Sequence, residues 1–324
     1  MGTILKTKLI YAAQSMATAV AADMAQTQQK FPSKPIRLLV STSPGTPPDT
    51  IARMMGEKMS AGWGQPVVVD SRPGAGGALA AGMVAKAAPD GHTLLMVSGF
   101  AITAALQPNL PYDPLKDFAR VGQLGNMSSG LFVAPALGVK SVKELIALAK
   151  AQPGKIIFGS NAPGSGNHLM GARFIRAAGI KVISVAFKGS PEATIEVLAG
   201  RTHYTLGPLA TALPFIKDGK LLALAVMSHS PLLPDVPTLA ETLPEFKRTD
   251  ASYGLLAPAA TPRPILQQIN KEAARILDLP DIKARLQPMG FVTATSTPEE
   301  YDRILRDQIE VLSGVARDLG LKTN

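Results

Sequence analysis

The chain has 324 residues, which is enough for about two domains at roughly 150 residues per domain. Its 46% of hydrophobic residues exclude a disordered chain, because that much apolar material can form buried cores. The formal net charge is +9, but the basic residues are scattered and form no zinc-finger or basic-zipper pattern, so we expect no nucleic-acid partner.

The first thirty residues have the pattern of a secretory leader. Lys6 and Lys8 form a charged start, residues 9–22 are mostly apolar or small, and Ala19-Val20-Ala21 is typical of a cleavage signal. The stretch is too short and too polar to span a bilayer. We therefore predict that residues 1–30 are a signal peptide and that the protein is exported. A disordered leader or an amphipathic helix is the alternative.

From residue 36 the chain alternates strand and helix patterns. Asp49 is predicted as the N-cap of the first helix, which Gly62 and Gly64 end. This strand–helix order predicts a parallel sheet with helices on its faces. The predicted strands are Ile36–Ser41, Val67–Asp70 and His92–Val97, and the predicted helices cover residues 49–61 and 78–88.

The middle of the chain repeats this alternation. Ser141 and Glu144 form the pattern of a capping box, which predicts the start of a helix at Val142. The predicted strands are Leu131–Ala134, Lys155–Gly159, Val182–Phe187, His203–Leu206 and Leu221–Met227. The predicted helices are Val142–Ala151, 167–178, Pro191–Leu198 and Pro208–Lys217.

The C-terminal third begins with a proline-rich connection over residues 231–244, followed by a predicted strand, Tyr253–Ala257. A helix is predicted after Thr261-Pro262. Thr297-Pro298-x-Glu300 combines an N-cap, a proline at the first helical position and a capping-box glutamate, so it predicts the start of the last helix. Apolar residues three or four apart in both helices indicate core packing.

Local motifs for catalysis, metals and cofactors are missing from the sequence. There is no cysteine, and none of the four histidines, His92, His168, His203 and His229, lies three to five residues from another, so no zinc motif exists. No phosphate-binding P-loop, dinucleotide fingerprint or nucleophile elbow is found. We therefore predict a binding protein without a cofactor. A hydrolase using Ser165 or Ser190 stays open, because catalytic triads assemble in space.

Three glycine- or proline-rich turns each join the end of a strand to the start of a helix. They are Ser43–Asp49, Ser160–His168 and Lys188–Pro191. Ligands bind at this edge of an open α/β sheet, and helix N-termini there present free N–H groups to an anion. The turns therefore predict a carboxylate site between two domains. Each turn could equally cap its helix and do nothing more.

Eight short segments of the chain carry recognisable motifs. They are Lys34–Arg37, Ser43-Pro44-Gly45-x-x-x-Asp49, Gly64–Gly77, Ala85–Leu95, Leu110–Phe118, Ser141–Leu145, Phe187-Lys188-Gly189-Ser190 and Leu233–Thr238. Each segment alone is a weak signal, but together they are specific. They resemble the Bug-type solute-binding proteins of tripartite tricarboxylate transporters, and the resemblance runs from about residue 31 to residue 321.

The resemblance implies an α/β, bilobal periplasmic-binding-protein fold of type II-like form, with two parallel-sheet-containing domains around a ligand cleft. It implies that residues 31–126 and 228–324 form domain 1 and residues 127–227 form domain 2. It also implies a monomeric periplasmic protein that captures a small organic carboxylate and delivers it to membrane subunits of the transporter. An orphan binding protein that serves a sensor is the alternative.

The same resemblance implies which residues meet the ligand. They are Ser43, Pro44, Gly45, Thr46, Asp49, Asn161, Ser165, His168, Phe187, Gly189, Ser190 and Gly207. This sequence departs from the family pattern at several of them. Thr46 replaces a glycine and Phe187 replaces a tyrosine, and no acidic residue accompanies Gly207. Phe187, Phe100 and the apolar pair Ala101–Ile102 indicate room for a flat or aromatic carboxylate.

Overall fold

The computed structural model describes residues 31–107, 109–161, 165–246 and 252–321. The predicted signal peptide, residues 1–30, lies outside these residues and stays a prediction. Within the described ranges, none of the helices has both the length and the apolar character needed to cross a membrane.

The described residues form two sheets with helices on their faces. The strands are β1 (Ile36–Val40), β2 (Val67–Ser71), β3 (Thr93–Ser98), β4 (Phe118–Met127), β5 (Ser129–Val133), β6 (Ile157–Ser160), β7 (Ile183–Ala186), β8 (Tyr204–Pro208), β9 (Leu222–Val226), β10 (Ser252–Pro258) and β11 (Phe291–Thr293). The helices are α1 (Pro47–Trp63), α2 (Ala78–Ala85), α3 (Phe100–Leu106), α4 (Val142–Ala151), α5 (Gly166–Ala178), α6 (Ser190–Leu198), α7 (Leu209–Lys217), α8 (Leu239–Thr242), α9 (Arg263–Leu277), α10 (Pro280–Leu286) and α11 (Pro298–Asp318).

The first sheet has six strands in the order β11-β4-β10-β3-β1-β2. Strand β1 pairs in parallel with both β2 and β3, which confirms the parallel arrangement predicted for the first three strands. The later strands β10 and β11 enter antiparallel, β10 between β3 and β4 and β11 at the edge beside β4. The sheet is therefore mixed, and its carboxyl edge holds the turns that precede α1 and α3.

The second sheet has five strands in the order β7-β6-β8-β5-β9. Strand β6 pairs in parallel with β7 and β8, whereas β5 pairs antiparallel with β8 and β9. Strand β4 of the first sheet and β5 of the second are separated only by Ser128, so the chain changes sheets there. The predicted α/β fold class, with a parallel-sheet-containing half on each side, is confirmed by this topology and by solved structures of the same architecture.

Each sheet has its own hydrophobic core. The core of the second sheet includes Leu239, Leu243 and Phe246, which follow its last strand in the chain. The predicted domain division, 31–126 with 228–324 and 127–227, stays a prediction. The packing of Leu239 and Leu243 shows that part of the proline-rich connection lies against the second core.

The first helix begins differently from its prediction. The assignment of Asp49 as N-cap is wrong, because Thr46 is the N-cap and Asp49 lies in the first turn. The prediction that Gly62 ends the helix is also wrong. Helix α1 continues to Trp63, and only Gly64 adopts the left-handed conformation, with a φ of 66°. A glycine inside a helix costs stability but does not by itself end it.

The two predicted capping boxes have different outcomes. At Thr297 both reciprocal hydrogen bonds with Glu300 are present, so this box is confirmed. At Ser141 only half of the box forms. The Ser141 hydroxyl accepts from the Glu144 N–H, but the Glu144 carboxylate accepts from the N–H of Lys140 instead of Ser141.

Candidate functional site

A cavity of about 590 Å³ lies between the two sheets. The half with the first sheet contributes the end of β3, the start of α3 and the last helix, α11. The half with the second sheet contributes the first turns of α5 and α7. A cleft of this size between two α/β halves is a common place for a small-molecule site. Most of its wall is apolar, including Ile102, Met127, Leu169, Met170, Met289 and Leu312.

A polar cluster adjoins this cavity on the side of the second sheet. The side-chain amides of Asn161 and Asn167 both donate to the Ser190 hydroxyl oxygen, each at 2.9 Å. A Cβ on Gly207 would lie 3.4 Å from that oxygen, so the absence of a side chain there leaves room for the cluster. Asn167 also lines the cavity. The cluster therefore brings together Asn161, Ser190 and Gly207 of the predicted residues.

Asn161 carries an unusual acceptor. Its side chain is 8% exposed, and its amide oxygen is buried without a hydrogen-bond partner. Buried polar atoms normally have a partner, so an orphan acceptor in a cluster beside a cavity marks this place as a functional candidate. Ser190 has a related property. Its oxygen accepts two N–H bonds, so its own hydroxyl proton points to neither amide.

The first loop is organised around Asp49. This carboxylate accepts from the Gly45 N–H at 2.9 Å, the Ser71 hydroxyl at 2.6 Å and two nitrogens of Arg53 at 2.9 and 3.0 Å. Burial by itself would raise the pKa of Asp49, but the hydrogen bonds from Arg53, Ser71 and Gly45 hold the pKa below its usual value. Asp49 therefore stays charged, and its bonds hold the loop in place.

Thr46 fits the first loop without strain. Its φ is −74°, while Gly45 takes the positive φ of 79°. Replacement of the family glycine by Thr46 thus needs no left-handed backbone. The Thr46 hydroxyl donates to the Ser43 carbonyl at 2.7 Å and also contacts the Thr42 hydroxyl.

The remaining predicted contacts do not line this cavity. Ser165 is the N-cap of α5 and accepts from the His168 N–H at 3.2 Å. The His168 ring lines a different cavity of about 700 Å³, between α5, β7 and the end of α11, where burial lowers its pKa. The Phe187 N–H donates to the Ser160 carbonyl at 2.9 Å, and Gly189 is the N-cap of α6.

The predicted aromatic wall is only partly present. Ala101 and Ile102 line the cavity, but Phe100 packs in the core against Tyr112 and Phe118. Among the described lining residues, none belongs to the twelve predicted contacts. Five of those lining residues are the chain neighbours of predicted ones, namely Pro47, Gly166, Asn167, Leu169 and Pro208.

Sequence reasoning missed the polar side chains of the described cavity wall, including Asn167, Ser98 and Arg173. Asn167 is the second residue of α5, Ser98 ends β3, and Arg173 lies two turns into α5. The Arg173 guanidinium stacks over the Phe246 ring at 4.4 Å. Asn167 lies inside one of the turns singled out above, so its position was a usable signal. Arg173 has no such signal, because its place on the wall depends on how α5 packs.

No group of three or more metal-ligating side chains occurs in the described ranges. His92, for example, accepts from the Ser33 N–H and contacts the Asp90 backbone. The donors and acceptors at the cavity are amides, hydroxyls, backbone N–H groups and the Arg173 guanidinium. Such groups bind and orient an organic ligand, and they hold a metal ion poorly.

Comparison with known proteins decides the family. Residues 51–321 match the sequence profile of the tripartite tricarboxylate transporter family receptor. The chain belongs to this family. It is 33% identical over 298 residues to the protein BugT of Bordetella pertussis, covering 90% of this chain and 91% of BugT. The resemblance to Bug-type proteins is thereby confirmed, and so is the prediction of a receptor and not an enzyme.

Two solved structures from Rhodopseudomonas palustris are similar to this tripartite tricarboxylate transporter receptor. Rpa4515, solved with adipate, is 29% identical with a TM-score of 0.69, covering 90% of this chain and 99% of Rpa4515. MatC, solved with bound malate, is 30% identical with a TM-score of 0.64, covering 88% of this chain and 99% of MatC. Both relatives were therefore solved with a dicarboxylate.

Proposed function

We propose that this receptor is a periplasmic binding protein that captures a small organic carboxylate in the cavity between its two sheets. The observation that carries the proposal is the cavity of about 590 Å³ next to the Asn161–Asn167–Ser190 cluster. Membership of the family and the adipate and malate of its relatives support a carboxylate as the ligand class.

The chemistry of the cluster suits a carboxylate. Ser190 has a hydroxyl proton to donate, and the first turns of α5 and α6 present backbone N–H groups with partial positive charge. A charge-assisted hydrogen bond of this kind contributes about 1.5–3 kcal/mol, so two or three of them are enough for micromolar binding. The twelve predicted contacts remain proposed ligand contacts. Asn161, Ser190 and Gly207 are the strongest of them, and Asn167 is a further proposed contact.

Binding is tested by isothermal titration of the purified protein with single carboxylates. Ser190→Ala removes the hydroxyl and leaves both amides without their acceptor, so we expect at least a ten-fold loss of affinity. Ser184→Ala is the matched control, because Ser184 lies on β7 beside the other cavity. Equal affinity in both variants would contradict the proposed site. Absence of heat with every carboxylate would contradict the function.

We further propose delivery of the ligand to membrane subunits of a tripartite tricarboxylate transporter. Closure around the ligand would create the surface that those subunits recognise, since a ligand shifts a conformational equilibrium by its differential affinity. The test is cross-linking to the membrane subunits with and without ligand. Ligand-dependent capture of a sensor instead would favour the alternative partner.

Export through residues 1–30 and a monomeric state complete the proposal. N-terminal sequencing of the protein from the periplasmic fraction tests the cleavage, and light scattering of the purified protein tests its mass. An uncleaved chain that stays in the cytoplasm would contradict the periplasmic location.

A further inference from the structure

The described walls of the cavity carry little charge. Among the described residues that line it, Arg173 is the only charged one, and its guanidinium is stacked on Phe246. A dicarboxylate or tricarboxylate needs donors or cations at two or more places, because a buried carboxylate without partners is costly. The number of donor groups on the cavity wall therefore limits how many carboxylates a bound ligand can carry.

The first loop offers no backbone donor to the cavity between residues 44 and 48. Pro44, Pro47 and Pro48 have no N–H group. The N–H of Gly45 is bonded to Asp49, and the N–H of Thr46 is directed at the Ser43 carbonyl, 3.3 Å away. The pair of prolines at the start of α1 thus removes two donors that a helix N-terminus normally presents. The carboxylate of Asp49 is buried and paired with Arg53, so it offers no donor either.

The opposite wall has the donors. Helix α5 has 13 residues, and its cap bonds use the N–H groups of His168 and Leu169, which leaves those of Gly166 and Asn167 at its N-terminus. The Asn161–Asn167–Ser190 cluster lies next to them. Its orphan Asn161 oxygen is an acceptor and does not bind a carboxylate, so the donors here are the two N–H groups and the Ser190 hydroxyl. One carboxylate can be held here.

Apolar side chains make up most of the remaining wall, and the polar side chains there are uncharged apart from Arg173, namely Ser98, Ser129, Thr211, Ser252, Tyr253 and Gln308. The Ile102 side chain approaches across the cavity so closely that a Cβ on Gly166 would lie 2.9 Å from its Cδ1. Leu169, Met170 and Met289 continue the apolar surface away from the cluster. Methionine side chains adapt to irregular shapes, so such a wall can pack against rings or branched chains.

We propose that this receptor takes a monocarboxylate with an apolar body, aromatic or branched aliphatic. Its single carboxylate is bound at the α5 end by the Asn167 and Ser190 region, and its body lies between Ile102 and the methionines. A second carboxylate at the opposite end of the cavity, beside the first loop, would lose its hydration and find no backbone donor from residues 44–48. This specificity rests on the proposed function, and it differs from the adipate and malate of the two solved relatives.

The test titrates the purified protein with six probes at one ionic strength. Benzoate, phenylacetate and 4-methylpentanoate are the monocarboxylates, and malate, adipate and citrate carry two or three carboxylates. We expect the best monocarboxylate to bind at least ten-fold more tightly than the best of the other three. Tighter binding of malate, adipate or citrate would overturn this inference and leave the carboxylate function standing. Binding of none of the six would overturn both.

A gain of charge gives an independent measurement. Val311 lies on α11, lines the cavity and is 38% exposed, so a lysine there can reach both the cavity and solvent. We expect Val311→Lys to raise the affinity for adipate at least ten-fold relative to benzoate. Ile195→Lys is the matched control, because Ile195 is 52% exposed on α6 and lies outside this wall. An unchanged adipate-to-benzoate ratio in Val311→Lys would overturn the inference.

Discussion

Asp49→Asn tests whether this carboxylate holds the first loop or meets the ligand itself. Its side chain is 2% exposed and accepts four hydrogen bonds, all from within the loop and its neighbours. Asparagine has nearly the same shape but only one acceptor oxygen, and its NH₂ group would face a donor. We therefore expect the substitution to lower the stability of the protein, with any effect on ligand affinity following from displacement of the loop.

The magnitude follows from the exposure of each partner. The Arg53 side chain is 54% exposed, so solvent screens its ion pair, and its loss costs about 0–1 kcal/mol. The bonds from Gly45 and Ser71 go to a buried charge, where each is worth about 1.5–3 kcal/mol, and asparagine can keep one of them. The total loss is about 1.5–4 kcal/mol. At about 2–4 °C per kcal/mol, the midpoint of thermal unfolding falls by about 3–16 °C.

The assay is thermal unfolding of the wild-type protein and two variants. The control is Asp281→Asn, which makes the same chemical change in an ion pair with Lys58 where the Asp281 side chain is 54% exposed. We expect that control to shift the midpoint by less than about 2 °C, because surface ion pairs contribute little. An Asp49→Asn protein with an unchanged midpoint and abolished ligand binding would refute the loop role and make Asp49 a direct contact.

The pH dependence gives a second measurement on the same variant. The folded pKa of Asp49 lies below its unfolded value, so its stabilisation is fully present above the unfolded pKa of about 3.9. That stabilisation is lost as the pH falls through the folded pKa. The difference in stability between wild type and Asp49→Asn is therefore expected to be constant from neutral pH to about 5 and to shrink below about 4. A difference that grows on acidification would contradict the assignment.

Three further predictions concern stability and are measured by urea unfolding. Gly254→Ala places a Cβ 2.3 Å from the buried Tyr301 ring and is expected to cost at least about 1–3 kcal/mol, whereas Gly314→Ala, with open space around it, should stabilise α11 by up to about 1 kcal/mol. Equal effects of Gly254→Ala and Gly314→Ala on stability would show that the Tyr301 ring can move away from the new methyl group, and would contradict the prediction. Arg120→Met removes buried hydrogen bonds to two backbone carbonyls, and we expect it to lower the free energy of unfolding by about 2–4 kcal/mol. A loss of less than about 1 kcal/mol would contradict this prediction. Thr297→Ala removes an intact capping box and should cost about 1 kcal/mol, with recovery in Thr297→Ser.

Local patterns predicted the elements whose signals are local. Helix α4 has the predicted bounds Val142–Ala151, and the box at Thr297 starts α11 where expected. In both cases the cap and the apolar spacing lie within one turn or a few turns of chain. The N-cap prediction at Asp49 failed because the partners of its side chain are not all local. The Asp49 carboxylate accepts a hydrogen bond from Ser71, which is 22 residues away along the chain. No local pattern could therefore show which donors its oxygens accept from.

Strand β4 was not predicted, and its glycines explain why. A Cβ on Gly122 would lie 2.2 Å from the Asn270 amide, and one on Gly125 would lie 2.3 Å from the Val292 carbonyl. These glycines are needed because a helix and a strand from the C-terminal third approach closely. In the sequence they weaken the strand pattern, since glycine in a strand interior lowers its propensity. Strand β11 and helices α3, α8 and α10 were likewise too short for their signals to be read.

The sequence by itself determined the fold class, the order of most elements and the family, because these depend on spacing along the chain and on motifs that need no partner. It also placed three turns at the carboxyl edges of strands. Only the tertiary structure decided which of their residues meet. Asn161 and Asn167 converge on Ser190 from 29 and 23 residues away, and the apolar wall opposite them comes from helices that are far apart in the chain. The physical reason is that side-chain convergence depends on how the sheets and helices pack, which no local spacing contains.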